Sequence, residues 1–259
     1  MTDATADQAS ADQAKQAFSH DGNDVGVVLC HGFTGAPGSM RAWADHLVAE
    51  GYSVRLPLLP GHGTRWQDAN RTTFDDWLGA VTAAVQDLAS TCRAVVVAGL
   101  SMGGTLALRL AELHPDTIAG LVLVNPSVTT LRREANLLPV LRYVVPMFPP
   151  IAGDIAKPGV VEPGYNRLPV KAMHSLWSAW SVVRRDLAKV TAPVLLLHSR
   201  VDHVVEPVNS QIVLDGISST DVTEIWLENS YHVATMDNDA EEIFTASVEF
   251  IEKITAGLP

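Results

Sequence analysis

The stretch Ala94–Gly104 reads AVVVAGLSMGG and continues as TLALRLAEL through residue 113. Its first half is a short valine-rich apolar run, the pattern of a strand buried on both faces. Its second half places Leu106, Leu110 and Leu113 at helical spacing. Between them Gly99-Leu100-Ser101-Met102-Gly103 matches G-x-S-x-G, a sharp strand-to-helix turn that exposes a serine. Gly99 and Gly103 leave room where strand and helix approach, because neither carries a Cβ. Ser101 then stands at the carboxyl end of a sheet, with the positive end of a helix dipole beneath a developing oxyanion. A chance Gly/Ser turn has the same pentapeptide; the flanking strand, the helix and Gly104 favour the catalytic reading.

Outward from this point the chain repeats the strand–helix rhythm. Upstream, Val25–Cys30 (VGVVLC) reads as a buried strand followed by the Gly/Pro loop HGFTGAPG. Met40, Trp43 and Leu47 mark a helix, Tyr52–Leu56 a second strand, and Trp77, Val81, Val85 and Leu88 another helix. Downstream, Gly120–Val124, Pro193–His198 and Glu224–Leu227 are further strands. A last helix presents Phe244, Val248, Ile251 and Ile254, with Asn238 or Asp239 expected as its cap and Glu241 or Glu242 completing a capping box. Strands alternating with helices imply an α/β protein with a mostly parallel central sheet covered on both faces. Residues 127–190 break the rhythm with seven prolines and short helical patches, and read as an insertion. The expected organisation is a core of 25–126 and 191–259, a small cap at 127–190, and a disordered tail at 1–24.

A serine hydroxyl needs a general base, and that base needs an orienting acid. In sheets that carry this elbow the order along the chain is serine, acid, histidine. Asp202 lies in the loop Ser199-Arg200-Val201-Asp202 after a late strand. His232 lies between the Glu224–Leu227 strand and the last helix. Among nine histidines the rival base is His203, but a residue adjacent to Asp202 rarely places its ring on that carboxylate. Glu206 and Glu228 are the rival acids. The oxyanion donors should be the backbone N–H groups of Met102, after the nucleophile, and Phe33, in the loop after the first core strand.

Composition narrows the function classes. The 259 residues suffice for a sizeable core, and 47% hydrophobic with 18% charged residues is globular composition. Eighteen basic against 29 acidic residues give a net charge of −11, which argues against nucleic acid as a partner. No apolar run reaches ~18 residues, so stable membrane insertion is not expected. Cys30 and Cys92 are too few for a disulfide framework, which suits free thiols and a cytoplasmic location. The first 24 residues lack the apolar centre of a signal peptide. The histidines lack clustered metal-ligand spacing, and no Walker lysine or G-x-G-x-x-G is present, so no metal or other cofactor is expected. Oligomeric state is not readable.

From Val25 to about Ile251 the chain resembles an α/β-hydrolase, and within that superfamily the bacterial monoacylglycerol lipases and their carboxylesterase relatives. The strings that carry the resemblance are HGFTG at 31–35, GHGT at 61–64, GLSMGG at 99–104, SRVDHVV at 199–205 and WLENSYHVATMDND at 226–239. The resemblance implies Ser101, Asp202 and His232 as a catalytic triad, with the N–H groups of Phe33 and Met102 as oxyanion donors. It also implies a cap glutamate contacting glycerol hydroxyls, and Glu162 in Val161-Glu162-Pro163-Gly164-Tyr165 is the matching residue.

Residues 135–153 (ANLLPVLRYVVPMFPPIAG), with Trp177 and Trp180, offer an apolar roof for an acyl chain, at ~0.8 kcal/mol per buried methylene. The expected reaction is cleavage of a small-molecule ester, monoacylglycerol first, with a broad carboxylesterase as the alternative. A serine at the elbow argues against dehalogenase or epoxide hydrolase chemistry, which uses an aspartate there. A non-catalytic lipid carrier on the same fold is the reading from another class, and the complete triad disfavours it.

Overall fold

The computed structural model describes residues 14–150 and 153–257. Its main sheet has seven strands: β1 (Phe18–His20), β2 (Val25–Cys30), β3 (Ser53–Leu56), β4 (Ala94–Leu100), β5 (Ile118–Val124), β8 (Val194–Ser199) and β9 (Val222–Leu227). Their spatial order is β1-β3-β2-β4-β5-β8-β9, with every pairing parallel except β1 against β3. A separate two-stranded pair joins β6 (Met147–Phe148) to β7 (Leu168–Pro169).

The valine-rich runs sit in the middle of the sheet because both of their faces are covered. Along β4, Val95 and Val97 face one apolar cluster while Val96, Ala98 and Leu100 face the other. The same alternation runs through β2, β5 and β8, as the two-residue period of a strand requires. One layer is α1 (Arg41–Ala49) and the last helix, α8 (Ala240–Thr255), with Trp43 and Phe244 stacked between them. The other is α3 (Phe74–Ala89), α4 (Met102–Leu113) and α6 (Val170–Asp186). The short helices α2 (Trp66–Ala69) and α5 (Leu138–Leu141) and the helix α7 (Val208–Gly216) complete the set.

Three expectations need correction. The tail expected over 1–24 contains an ordered strand: Phe18–His20 pairs with Leu56–Val54. Arg55 secures it, donating to the His20 carbonyl at 3.0 Å and pairing with Asp21 at 2.6 Å. A three-residue edge strand has too little pattern to be read locally, and residues 1–13 lie outside the described residues. The last helix has no capping box. Asp239 is its N-cap residue, but its carboxylate binds the Asn229 backbone N–H at 2.8 Å and side-chain amide at 2.9 Å instead. In residues 135–153, Leu137, Val140 and Val144 are exposed, so only part of that apolar run faces inward.

Segment 127–190 holds α5, β6, β7 and α6, and its buried side chains join the cluster beneath the sheet. Ala172, Leu176, Ala179, Trp180 and Val183 of α6 pack there with α3 and α4. Long-range polar contacts tie it down as well. Asn70 accepts the Lys171 N–H at 2.9 Å at the start of α6 and donates to the Pro146 carbonyl at 2.7 Å. Tyr165 donates its N–H to the Thr34 carbonyl at 3.0 Å and its hydroxyl to that of Gly61.

Candidate active site

Every loop of interest leaves the carboxyl end of a parallel strand. The sheet order reverses between β2 and β4, the position at which open α/β sheets bind ligands. Cys30 at the end of β2 lies opposite Gly99 near the end of β4, so the His31–Gly35 loop and the Ser101 turn emerge side by side. Ser101 adopts φ 56° and ψ −115°, a sparsely populated conformation that costs ~1–3 kcal/mol in a non-glycine residue. The crowding around it explains the glycines. A Cβ on Gly99 would sit 2.2 Å from the Gly103 carbonyl carbon, and one on Gly103 would sit 1.9 Å from the Cys30 oxygen.

Asp202 follows β8 and His232 follows β9. The structure joins them: His232 Nδ1 donates to Asp202 Oδ2 at 2.7 Å. The other carboxylate oxygen, Oδ1, accepts the Val204 and Val205 N–H groups, both at 2.8 Å. The Asp202 side chain is fully buried. Burial pushes its pKa up, but the charge of His232, its hydrogen bond and the two N–H donors outweigh that and hold the carboxyl below its usual range. Burial likewise pulls the His232 ring down. The charge of Asp202, the bond to it, and the charges of Glu162 and Asp154 override this and raise its pKa above the ordinary imidazole value.

Ser101 and His232 line one cavity. Among the described residues Ser101 Oγ makes no hydrogen bond; in free enzymes such contacts commonly tighten only with substrate. The rival residues are engaged elsewhere. His203 is half-exposed and pairs with Asp154 at 2.8 Å, Glu228 pairs with Arg200 at 3.1 Å, and Glu206 Oε1 accepts the Leu131 N–H at 3.3 Å.

The N–H groups of Phe33 and Met102 have no intramolecular acceptor among the described residues. Phe33 lines the cavity, and Gly32 approaches so closely that a Cβ there would meet Ser101 Cβ at 3.7 Å. His31 supports this loop from below. Its Nε2 accepts the Leu59 N–H at 3.2 Å, which assigns the proton to Nδ1 and the 3.0 Å contact with the Gly32 carbonyl to a donated bond. Burial first, then the nearby His62, drops its pKa to about 3, so it stays neutral.

The cavity measures about 440 Å³, within the range of small-molecule sites. Leu138, Leu141, Phe148, Met173, Leu176 and Trp180 give it apolar walls. Glu162 lies in it near the Gly32–Gly35 loop, its Oε2 held by the Gly153 N–H at 3.1 Å. Burial raises the Glu162 pKa, partly countered by the charge of His232 and by that N–H. Of the roof residues expected from sequence, Leu138, Leu141, Phe148 and Trp180 line the cavity, while Ile151 lies outside the described residues. Among the described residues no group of three His, Cys, Asp or Glu side chains could hold a metal ion, and no helix is long and apolar enough to cross a membrane.

Sequence reasoning missed three polar residues that hold the site. Asn125, at φ 45°, donates to the His232 carbonyl at 2.7 Å and accepts the Ser199 N–H at 2.7 Å. The Asn-Pro at the end of β5 was the available signal, since asparagine tolerates positive φ. Asp237 accepts four backbone N–H groups, those of Ala156, Lys157, Tyr231 and Asn238, at 2.7–2.9 Å. Asp154 accepts backbone N–H groups from both the Asp202 loop, at His203, and the His232 loop, at His232 itself. Nothing local in the sequence marks either aspartate.

A nucleophile elbow at a sheet switch point, with an Asp–His pair beyond the ends of the last two strands of the sheet, is the arrangement of a serine hydrolase on an α/β scaffold. The model of the Alpha/beta hydrolase family matches residues 27–246, and the chain belongs to that family. It is 41% identical to a thermostable monoacylglycerol lipase of Bacillus sp. (strain H-257), over 92% of this chain and 94% of that protein. It is 26% identical to a carboxylesterase of Bacillus subtilis (strain 168), over 92% and 96% of the two chains. Among solved structures, one reported with LipS and LipT, two metagenome-derived lipolytic enzymes, superposes with a TM-score of 0.90 at 38% identity, covering 93% of this chain and 98% of that one. A monoacylglycerol lipase of Paleococcus ferrophilus shares the fold, with a TM-score of 0.76 at 21% identity over 92% of this chain and 98% of that one.

Proposed function

We propose that the protein hydrolyses monoacylglycerols to glycerol and fatty acid through an acyl-enzyme on Ser101. The observation that carries this reading is the cavity: apolar walls lead to Ser101, and the carboxylate of Glu162 stands in it close to His232. An acyl chain fits the walls, and each methylene it buries adds ~0.8 kcal/mol in the transfer limit. The glycerol hydroxyls are donors, and Glu162 is an acceptor able to seat them. The identity with the Bacillus monoacylglycerol lipase, extending over nearly the whole chain, supports the same substrate.

In this mechanism Ser101 Oγ attacks the ester carbonyl while His232 Nε2 takes its proton. Asp202 holds Nδ1–H, so Nε2 is the free base, and its charge stabilises the imidazolium that forms. The carbonyl oxygen, now negative, accepts from the Phe33 and Met102 N–H groups at the mouth of α4. His232 then protonates the leaving glycerol oxygen. Water activated by the same ring releases the fatty acid. Segment 127–190 acts as a cap that walls off the acyl chain. The buried free thiol of Cys30 and the half-buried one of Cys92 suit a reducing compartment, and we place the protein in the cytoplasm.

The test is steady-state kcat/KM on monoacylglycerols of graded chain length beside diacylglycerol, triacylglycerol and matched ethyl esters, with Ser101→Ala as the blank. Glu162→Ala is expected to lower monoacylglycerol turnover about 10- to 100-fold, the loss of hydrogen bonds to a charged acceptor, and to lower ethyl ester turnover only severalfold, through the loss of its charge near His232. Equal losses on both substrates would remove the glycerol seat and reduce the enzyme to a broad carboxylesterase.

A further inference from the structure

Asp154 lies in segment 127–190, far in sequence from both loops it touches. Its Oδ2 accepts the backbone N–H of His232 at 3.2 Å and that of His203 at 3.1 Å. Its Oδ1 takes the His203 ring at 2.8 Å. The side chain is largely buried, with 16% of its surface exposed. Thus one carboxylate bridges the loop that carries Asp202 and the loop that carries His232, next to the 2.7 Å bond between those two residues. His203, whose ring packs edge-on against Tyr231 with centroids 4.7 Å apart, closes the bridge on the solvent side, and Arg132 holds its carbonyl at 2.9 Å.

We propose that Asp154 is a positioning residue of the hydrolytic centre: its carboxylate fastens the acid loop to the base loop and adds a further negative charge near His232, besides those of Asp202 and Glu162. This rests on the reading of His232 as the general base. Among the described residues the ring's ionisable neighbours include Asp202 on the β8 loop, Glu162 and Asp154 from the insertion, and His198 at the end of β8, with the His203 ring beyond Asp154. Asp202 orients it and Glu162 faces the substrate cavity, whereas Asp154 has no place in the cavity lining. Its effect therefore passes through the base. A negative charge there favours the protonated ring, so it raises the affinity of His232 for the proton it takes from Ser101 and stabilises the imidazolium of the transition state.

A purely structural role is separable, because the segment keeps other ties to the base loop. The Asp154 carbonyl accepts the Val233 N–H at 3.0 Å, and Asp237 holds the Ala156 and Lys157 N–H groups at 2.7 and 2.8 Å. Asp154→Asn and Asp154→Ser each remove the charge, and Asp154→Glu retains it. The His232 ring is titrated by NMR in each variant, beside the acid limb of kcat/KM on a short p-nitrophenyl ester.

In Asp154→Asn and Asp154→Ser the ring pKa and the acid limb are expected to move down together, on the order of half a unit to one unit. Plateau kcat is expected to fall severalfold with KM little changed. Asp154→Glu should keep the wild-type limb. An unchanged His232 titration in whichever charge-removing variant folds overturns the proposal, as does an equal shift in Asp154→Glu. Labelling of wild-type Ser101 by a fluorophosphonate tests the hydrolytic reading separately, and the NMR titration stands whatever that labelling shows.

Discussion

Asp202→Asn isolates the part of the site that decides whether His232 can act as a base. The Asp202 side chain has no solvent exposure, and its two oxygens do different work. Oδ1 holds the Val204 and Val205 N–H groups, and Oδ2 holds His232 Nδ1. An asparagine that keeps its oxygen on the two loop N–H groups must turn its NH2 toward Nδ1, so that two donors face each other. The ring escapes by moving its proton to Nε2, and Nε2 can then no longer accept the proton of Ser101. The wrong tautomer and the lost charge together cost ~10⁴ in kcat in a serine protease, or about 5.5 kcal/mol of transition-state stabilisation at 1.36 per decade. Stability is affected far less. One charge-assisted hydrogen bond is lost and two are weakened, ~2 kcal/mol in all, for a Tm drop on the order of 5 °C. The assay is kcat/KM on a short p-nitrophenyl ester, normalised to Ser101 labelled by a fluorophosphonate, beside a melting curve. A loss of less than tenfold in a variant that melts near the wild type refutes the assignment and turns attention to Glu206 and Glu228.

Two further changes probe the scaffold. Gly103→Ala drives a methyl to within 1.9 Å of the Cys30 carbonyl oxygen, where the obstacle is backbone and cannot swing aside. It should cost ~3 kcal/mol or more and abolish Ser101 labelling; a variant that labels and melts normally would contradict the packing described at the elbow. Glu112 is buried with Oε1 unpartnered, and burial, opposed by Arg109, pushes its pKa from 4.5 to about 7. The folded state therefore holds this proton more tightly than the unfolded one, and that stabilisation, complete below pH 4.5, is lost as pH rises through about 7. Glu112→Gln, which never ionises, should gain Tm over the wild type as pH rises from 4.5 to 8, and a gap that does not change with pH would rule this out.

The sequence was most legible where structure is local and two-sided. β2 and β4 are apolar on both faces, so their bounds can be read from valine runs alone. The elbow is legible because its glycines, strand and helix are contiguous. Asp202 and His232 could be placed because each follows a strand directly. What escaped depends on contacts across long separations. β1 is ordered by Arg55, and α6 is a 17-residue helix whose first turn is held by Asn70, about a hundred residues away. Asp239 reads as a helix cap, yet its carboxylate goes to Asn229. Asn125, Asp154 and Asp237 serve the site through hydrogen bonds to backbone groups of other segments, and a backbone group leaves no trace in the sequence that recruits it.

Asp237 has a consequence for how this protein can be rebuilt. Its carboxylate receives N–H groups from Ala156 and Lys157 on one side and from Tyr231 and Asn238 on the other. The insertion and the histidine loop are thus halves of one joint. A segment 127–190 grafted from another protein has to present two backbone N–H groups to that carboxylate as Ala156 and Lys157 do. A chain recombined at these boundaries keeps Ser101, Asp202 and His232 but is expected to lose the tie between the histidine loop and the insertion, leaving that loop to its core contacts such as Asn125. A graft of segment 127–190 is therefore expected to need residues 229–239 with it, because one carboxylate ties together two stretches some eighty residues apart.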